Sequence, residues 1–236
     1  MPKGTLFLIP APIAEDTAAL SLTPQMREVL PRIQHFLAED IRTARRFLSA
    51  LKVYPSIEQL EFTLLNKDTS EADVSQALMH LDNGFDMGVL SESGCPGVAD
   101  PGALAVRLAH RRGARVVPLV GPSSILLALM ASGLNGQQFA FHGYLPIDQK
   151  ELGRRLHELE KESAAKNQSQ IFIETPYRNH QLISKLCQYL SPNTLLTIAC
   201  DIQGNDEMIT TRTVGDWKKS GFVPPKKPCV FLFLAN

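Results

Sequence analysis

Four clusters of residues in this chain have the types and spacing that chemistry uses. The densest is Ser91-Glu92-Ser93-Gly94-Cys95-Pro96-Gly97-Val98-Ala99-Asp100-Pro101-Gly102. Its Gly and Pro residues make a rigid turn with exposed main chain, and Gly94 and Gly97 let a ligand come close to the backbone. It is neither Gly-x-Gly-x-x-Gly nor a phosphate loop with Lys-Ser/Thr, and the same residues also suit an ordinary strand-to-helix connection. In Gly121-Pro122-Ser123-Ser124 a serine can cap the following apolar helix, or the free N–H groups there can hold a carboxylate. Glu39-Asp40 stands before Arg42, Arg45 and Arg46, which lie three and four apart and share one helix face. That face can bind an anionic group such as a phosphate, or be a solvated face neutralised by neighbouring acids. In Glu174-Thr175-Pro176-Tyr177-Arg178, Thr175 can cap a helix with Pro176 in its first turn. Tyr177 and Arg178 can equally stack on and charge-pair with a nucleotide. His142 and Tyr144 read as satisfied interior residues.

Strands must deliver these clusters. Apolar runs at Thr5–Pro10, His35–Ala38, Asp86–Leu90 and Arg115–Leu119 read as strands. Ile41–Leu51, Glu71–Leu81 and Pro101–Arg112 carry helical spacing, with Pro101 in a first turn. This alternation predicts a mostly parallel sheet flanked by helices. After residue 119 the style changes. Phe139–Tyr144 and Gln170–Ile173 read as strands, and Asp148–Glu162 and Tyr177–Leu190 as helices. Thr194–Cys200, Glu207–Val214 and Cys229–Leu234 read as strands without long helices between them. The turn Gly204-Asn205-Asp206 implies an antiparallel pair. The expectation is an N-terminal α/β domain over 1–119 and a C-terminal mixed α/β domain over 120–236.

The 236 residues hold 24 Lys plus Arg and 24 Asp plus Glu, with 44% hydrophobic content. That excludes a disordered chain and a collagen. No apolar run reaches the roughly 18 residues of a membrane span, and the N-terminus does not read as a secretory signal. Neither half is basic: 1–120 hold 12 basic and 14 acidic residues, 121–236 hold 12 and 10. Nucleic acid could be held only by local clusters, not by bulk charge. Cys95, Cys187, Cys200 and Cys229 form no Cys-x-x-Cys pair, and the six His form no His-x-x-x-His. No metal site is expected, and the cysteines read as reduced, in a cytoplasmic protein.

Seven segments, in order, resemble the tetrapyrrole methylase superfamily, class III S-adenosylmethionine-dependent methyltransferases. The nearest branch methylates a ribose 2′-hydroxyl of small-subunit ribosomal RNA. The branch's LYLV-TPIGN is LFLIPAPIAE here (Leu6–Glu15), and AAEDTR is LAEDIR (Leu37–Arg42). VSDAGTPGISDPG is LSESGCPGVADPG (Leu90–Gly102), and PLPGPSAL is PLVGPSSI (Pro118–Ile125). SASGL is MASGL (Met130–Leu134), FEGFLP is FHGYLP (Phe141–Pro146), and YEAPHR is IETPYR (Ile173–Arg178).

The resemblance implies a two-domain α/β fold, a homodimer, and S-adenosylmethionine in a cleft between domains. It implies cofactor contacts at Ile13, Glu92, Gly94, Cys95, Pro96, Val98, Ser123, Ser124, Glu174, Ala199 and Cys229. With strand-end placement, it makes Glu39 and Asp40 candidates for base work or acceptor positioning, alongside Arg42. Arg45, Arg46, Tyr177 and Arg178 are candidates for holding an anionic substrate, RNA or a ribosomal subunit. The chain departs from the pattern at Ala14-Glu15 (for Gly-Asn), Glu92 (for Asp), Cys95 (for Thr) and Tyr177 (for His). The branch also carries a C-terminal extension that these residues do not include. Two other readings stay open: a small-molecule acceptor such as a tetrapyrrole, and a non-catalytic module that keeps the fold.

Overall fold

A computed structural model describes residues 2–235. The chain divides into two compact units, Met1–Ser123 and Ser124–Asn236.

The first unit runs β1 (Thr5–Ile9), α1 (Ala18–Ser21), α2 (Pro24–Val29), β2 (His35–Ala38), α3 (Ile41–Leu51), β3 (Glu61–Leu64), α4 (Glu71–Ala77), α5 (Met79–Asp82), β4 (Met87–Leu90), α6 (Gly102–Arg111) and β5 (Arg115–Pro118). Its sheet has the order β3-β2-β4-β1-β5 and every pairing is parallel. Strand side chains alternate between faces. Ile9, Phe36 and Ala38 therefore join one apolar cluster with Phe47 and Leu48 of α3, while Leu6, Leu37 and Val89 join another with Ala105 and Leu108 of α6. With both faces covered, β4 is buried along its whole length, as a parallel sheet requires.

The second unit runs α7 (Ser124–Ser132), β6 (Phe139–Tyr144), α8 (Gln149–Lys166), β7 (Ser169–Glu174), α9 (Asn179–Tyr189), β8 (Leu195–Cys200), β9 (Met208–Thr213), α10 (Val214–Ser220) and β10 (Cys229–Leu234). Its sheet order is β6-β7-β10-β8-β9, with β6–β7 parallel and the other pairs antiparallel. The core gathers around Phe172, Phe231 and Trp217. The Trp217 indole N–H donates to the Leu196 carbonyl at 2.8 Å, so its one polar atom is satisfied.

The expected α/β class, parallel in the first half and mixed in the second, is the one found. Details differ for physical reasons. Glu61–Leu64 was not expected as a strand; it is an edge strand whose four residues are half-buried or exposed, so it lacks the apolar run of an inner strand. The helix expected over Glu71–Leu81 divides at Leu78, where ψ is −2°. Pro101 stands at the N-cap position of α6, one residue before the first turn. Thr175 does not cap α9: it accepts from the Arg178 amide in a separate turn, and the helix begins at Asn179. The cysteines are not all reduced, because Cys200 and Cys229 form a disulfide. Their separation of 29 residues hides an antiparallel register that sets them directly opposite each other.

Candidate functional site

In open parallel sheets, ligands meet the chain beyond the carboxyl ends of the strands. In the first unit, the loops after β1, β2, β4 and β5 carry three of the four sequence clusters. They are bonded to one another. Ala11, just past β1, exchanges both backbone hydrogen bonds with Gly94, at 2.8 and 3.1 Å. A Cβ built on Gly94 would lie 3.5 Å from the Ile13 side chain and 3.7 Å from the Pro122 carbonyl. Ile13, Gly94 and Pro122 therefore meet at one corner. The Cys95 thiol donates to the same Pro122 carbonyl at 3.3 Å. Burial pushes that thiol up from its ordinary value, so Cys95 acts here as a neutral donor and not as a thiolate nucleophile.

The backbone of the loop is held open by its own side chains. Gly94, Gly97 and Ala99 all have positive φ. The Asp100 carboxylate accepts from the amides of Gly97 at 2.6 Å and Gly102 at 2.8 Å. Ser91 is buried and its hydroxyl donates to the carbonyls of Ser93 and Gly94. Neither Asp100 nor Ser91 was among the expected site residues. The signal for Asp100 was available: an Asp between two glycines that need their amides satisfied. Pro96 is buried, while Val98 stands half-exposed at the loop tip.

Glu39 and Asp40 follow β2. The Glu39 carboxylate accepts from the Glu92 amide at 3.0 Å, joining the two strand ends. Asp40 caps α3, accepting from the Thr43 amide at 2.7 Å. Four carboxylates thus share this end of the sheet. Burial raises the Asp100 and Glu92 carboxyls above their ordinary values, and Glu39 adds to both. A site with that field favours a cation over an anion. Arg42 and Arg46 are exposed on α3, whereas the Arg45 guanidinium lies over the Phe62 ring at 5.5 Å.

The Thr43 bond holds the Asp40 carboxyl below its ordinary value of 3.8. Its contribution to stability is therefore complete above that value and lost as pH falls through the lower folded value. Asp40→Ala is expected to cost about 1 kcal/mol in urea denaturation at neutral pH, the usual loss of a cap, and Asp40→Asn close to nothing. Equal losses in the two variants would mean the cap is not the role.

In the second unit, Glu174, Cys229 and Cys200 form one row at the end of the sheet, as successive opposite residues of β7, β10 and β8. Ala199 is fully buried in β8. The Glu174 side chain is 1% exposed, with Arg178 Nη2 at 3.0 Å from its Oε2 and the Thr175 amide donating to its Oε1. Oε2 has no hydrogen-bond partner of good geometry, and the same is true of the buried Asn179 Oδ1. Asn179 Nδ2 reaches the Lys227 carbonyl and Cys229 Sγ. Asn179 was not expected from the sequence, where it reads as an ordinary first-turn residue. Tyr177 is 87% exposed. Ser123 ends the first unit and Ser124 begins α7.

No family model matches the chain. Among curated proteins it is similar to "Ribosomal RNA small subunit methyltransferase I" of Buchnera aphidicola subsp. Acyrthosiphon pisum. That relative is 27% identical over 87% of this chain and 69% of its own. The protein of the same name from Escherichia coli O157:H7 is 28% identical over 91% and 71%. The one from Pseudomonas aeruginosa is 26% identical over 98% and 79%. Among solved structures, the methyltransferase CobJ superposes with a TM-score of 0.63 at 17% identity, over 100% of this chain and 95% of that one. Uroporphyrin-III C-methyl transferase from Thermus thermophilus, complexed with S-adenyl homocysteine, superposes at 0.55 and 17%, over 98% and 97%. The fold is that of these methyltransferases.

Proposed function

We infer that this chain, similar in sequence and fold to the tetrapyrrole methylases, is an S-adenosylmethionine-dependent methyltransferase, and we propose RNA as its methyl acceptor. The observation that carries the reading is the bonded corner of Ala11, Ile13, Gly94 and Pro122. It unites in space three segments that match the family's order in sequence. The relatives, named for small-subunit ribosomal RNA, support a ribose 2′-hydroxyl as acceptor. A homodimer working in the cytoplasm accords with this reading.

The residues suit the cofactor. Gly94 and Gly97, at positive φ, put no side chain in a ligand's way, Ile13 and Val98 offer apolar flanks for an adenine, and the carboxylate cluster favours a cationic centre. In the second unit, Asn179 Oδ1 is a buried acceptor lacking a hydrogen-bond partner, which a ligand's donor would supply, and Glu174 Oε2, paired with the Arg178 guanidinium at 3.0 Å, lies close by in sequence. We assign cofactor contacts to Ile13, Glu92, Gly94, Cys95, Pro96, Val98, Ser123, Ser124, Glu174, Ala199 and Cys229; the last two, both buried, would act through backbone. When bound, S-adenosylmethionine supplies an electrophilic methyl for an in-line displacement.

The protein's work is then to position and deprotonate. An alcohol is a poor nucleophile at neutral pH, so a carboxylate that takes its proton helps. Glu39 and Asp40 each use one oxygen in a structural bond, which fixes the carboxylates for that role. Exposed Arg42 and Arg46 would meet phosphates, with Tyr177 and Arg178 as a stacking and charge pair. Arg45, engaged on Phe62, would hold α3 and contribute charge.

Calorimetric titration with S-adenosylmethionine is expected to give one site per chain; no binding would leave only the non-catalytic reading. Labelled methyl transfer should reach isolated small ribosomal subunits and not a small-molecule extract; the reverse would make the acceptor a small molecule. Glu39→Gln and Asp40→Asn are expected to lower turnover on the order of 100-fold, with a much smaller fall in cofactor affinity from the lost charge. Full turnover in both would remove the base assignment.

A further inference from the structure

The amino end of the first unit's sheet carries a group of side chains that methyl transfer does not use. His35 opens β2, Glu61 opens β3 directly opposite it, and His80 lies in α5. His35 Nδ1 stands 3.1 Å from Glu61 Oε2. The His35 and His80 rings stack at 3.8 Å, tilted by 20°. One ligand atom from each of the three residues lies within 4.8 Å of the others. His35 Nδ1 is buried and has no hydrogen-bond partner of good geometry, an expensive state for a ring nitrogen unless something occupies it. Phe85 packs its edge against both rings, at 5.6 and 6.4 Å. Glu61 is 70% exposed, so the group is open to solvent on one side.

We propose that His35, Glu61 and His80 form a divalent metal site of the zinc class. Two imidazoles and one carboxylate are a borderline donor set, suited to zinc and not to magnesium or calcium. Zinc bonds of about 2.0–2.2 Å put neighbouring ligand atoms of a tetrahedron about 3.3 Å apart. The His35–Glu61 separation already matches that edge. The third ligand needs a turn of the half-buried His80 ring, and water completes the set. Three ligands come from three separate elements, so the ion would fasten edge strand β3 and short α5 to the sheet. It lies at the opposite end of these strands from the carboxylates of Glu39 and Asp40, so its role is to hold the fold and not to carry methyl transfer.

The test uses this chain, untagged and metal-free, titrated calorimetrically with zinc chloride. One equivalent should bind with micromolar affinity and raise the melting temperature. His80→Ala should weaken binding on the order of 100-fold and Glu61→Gln about tenfold, each losing the thermal shift. Glu61→Gln keeps the test valid if His80→Ala misfolds, because Glu61 is exposed. Cobalt substitution should give a visible spectrum without thiolate charge-transfer bands. Absence of saturable binding, unchanged binding in both variants, or a thiolate band pointing to Cys95 or Cys187 would each overturn the site.

Discussion

Gly121→Ala is expected to weaken S-adenosylmethionine binding by roughly ten- to hundredfold and to cost about 1–3 kcal/mol of stability. The added methyl would lie 2.2 Å from Cβ and 2.6 Å from Cγ of Pro10. Pro10 follows β1 and Gly121 follows β5, and these strands pair side by side up to Leu8 and Pro118. A proline ring has no side-chain rotation with which to yield, so the chain past β1 must move. That chain leads at once to Ala11, which is bonded on both sides to Gly94, and to Ile13. The displacement therefore passes to the Gly-Pro loop instead of being absorbed. Gly136→Ala is the control, since its Cβ would meet nothing within 4 Å. Calorimetric titration and thermal melts on both variants check the prediction. If Gly121→Ala binds as tightly as Gly136→Ala, the corner is not part of the cofactor site.

This corner explains which features can be read from sequence. Strands β1, β2 and β4 are legible because inner parallel strands must be apolar on both faces. The Gly-Pro loop is legible because positive φ at Gly94 and Gly97 selects for glycine. Strand β3 is not legible, since an edge strand can keep Glu61 and Thr63 exposed. The bond that Glu39 accepts from the Glu92 amide depends on side-chain direction, which a residue string does not carry. The rule for caps is local, and Asp40 before Ile41–Leu51 obeys it; Thr175 has the same local signal and does not cap, because the chain makes an extra turn before α9. The arginine cluster read as one face, yet Phe62, contributed by the unforeseen β3, takes Arg45 out of it. Thr175 aside, long-range pairing is the common cause of these failures, and the cysteines are the sharpest case.

Replacing Cys200 and Cys229 together by Ser is expected to destabilise the second unit by about 3–4 kcal/mol. The bridge closes a loop of 29 residues, and a loop of that size loses about this much chain entropy from the unfolded state when cross-linked. The loop carries β9 and α10, so their folding should suffer first. In thermal melts the wild type should be sensitive to a dithiol reductant and the double variant indifferent to it. Both cysteines are buried, at 0% and 3% exposure, so a dithiol cannot reach the sulfurs until β8 and β10 part. Reduction should therefore be slow in buffer and fast in moderate urea, with the dithiol oxidised to its own disulfide as the two thiols form. Cofactor affinity should fall with reduction as well, because Cys229 of β10 lies directly opposite Glu174 of β7 and accepts from Asn179. Loosening that row disturbs the buried acceptors assigned to the ligand. A wild type that melts identically with and without reductant in urea would mean that the opposed thiols remain unbridged in solution, and the stability of this sheet would then rest on its strand pairing and apolar core.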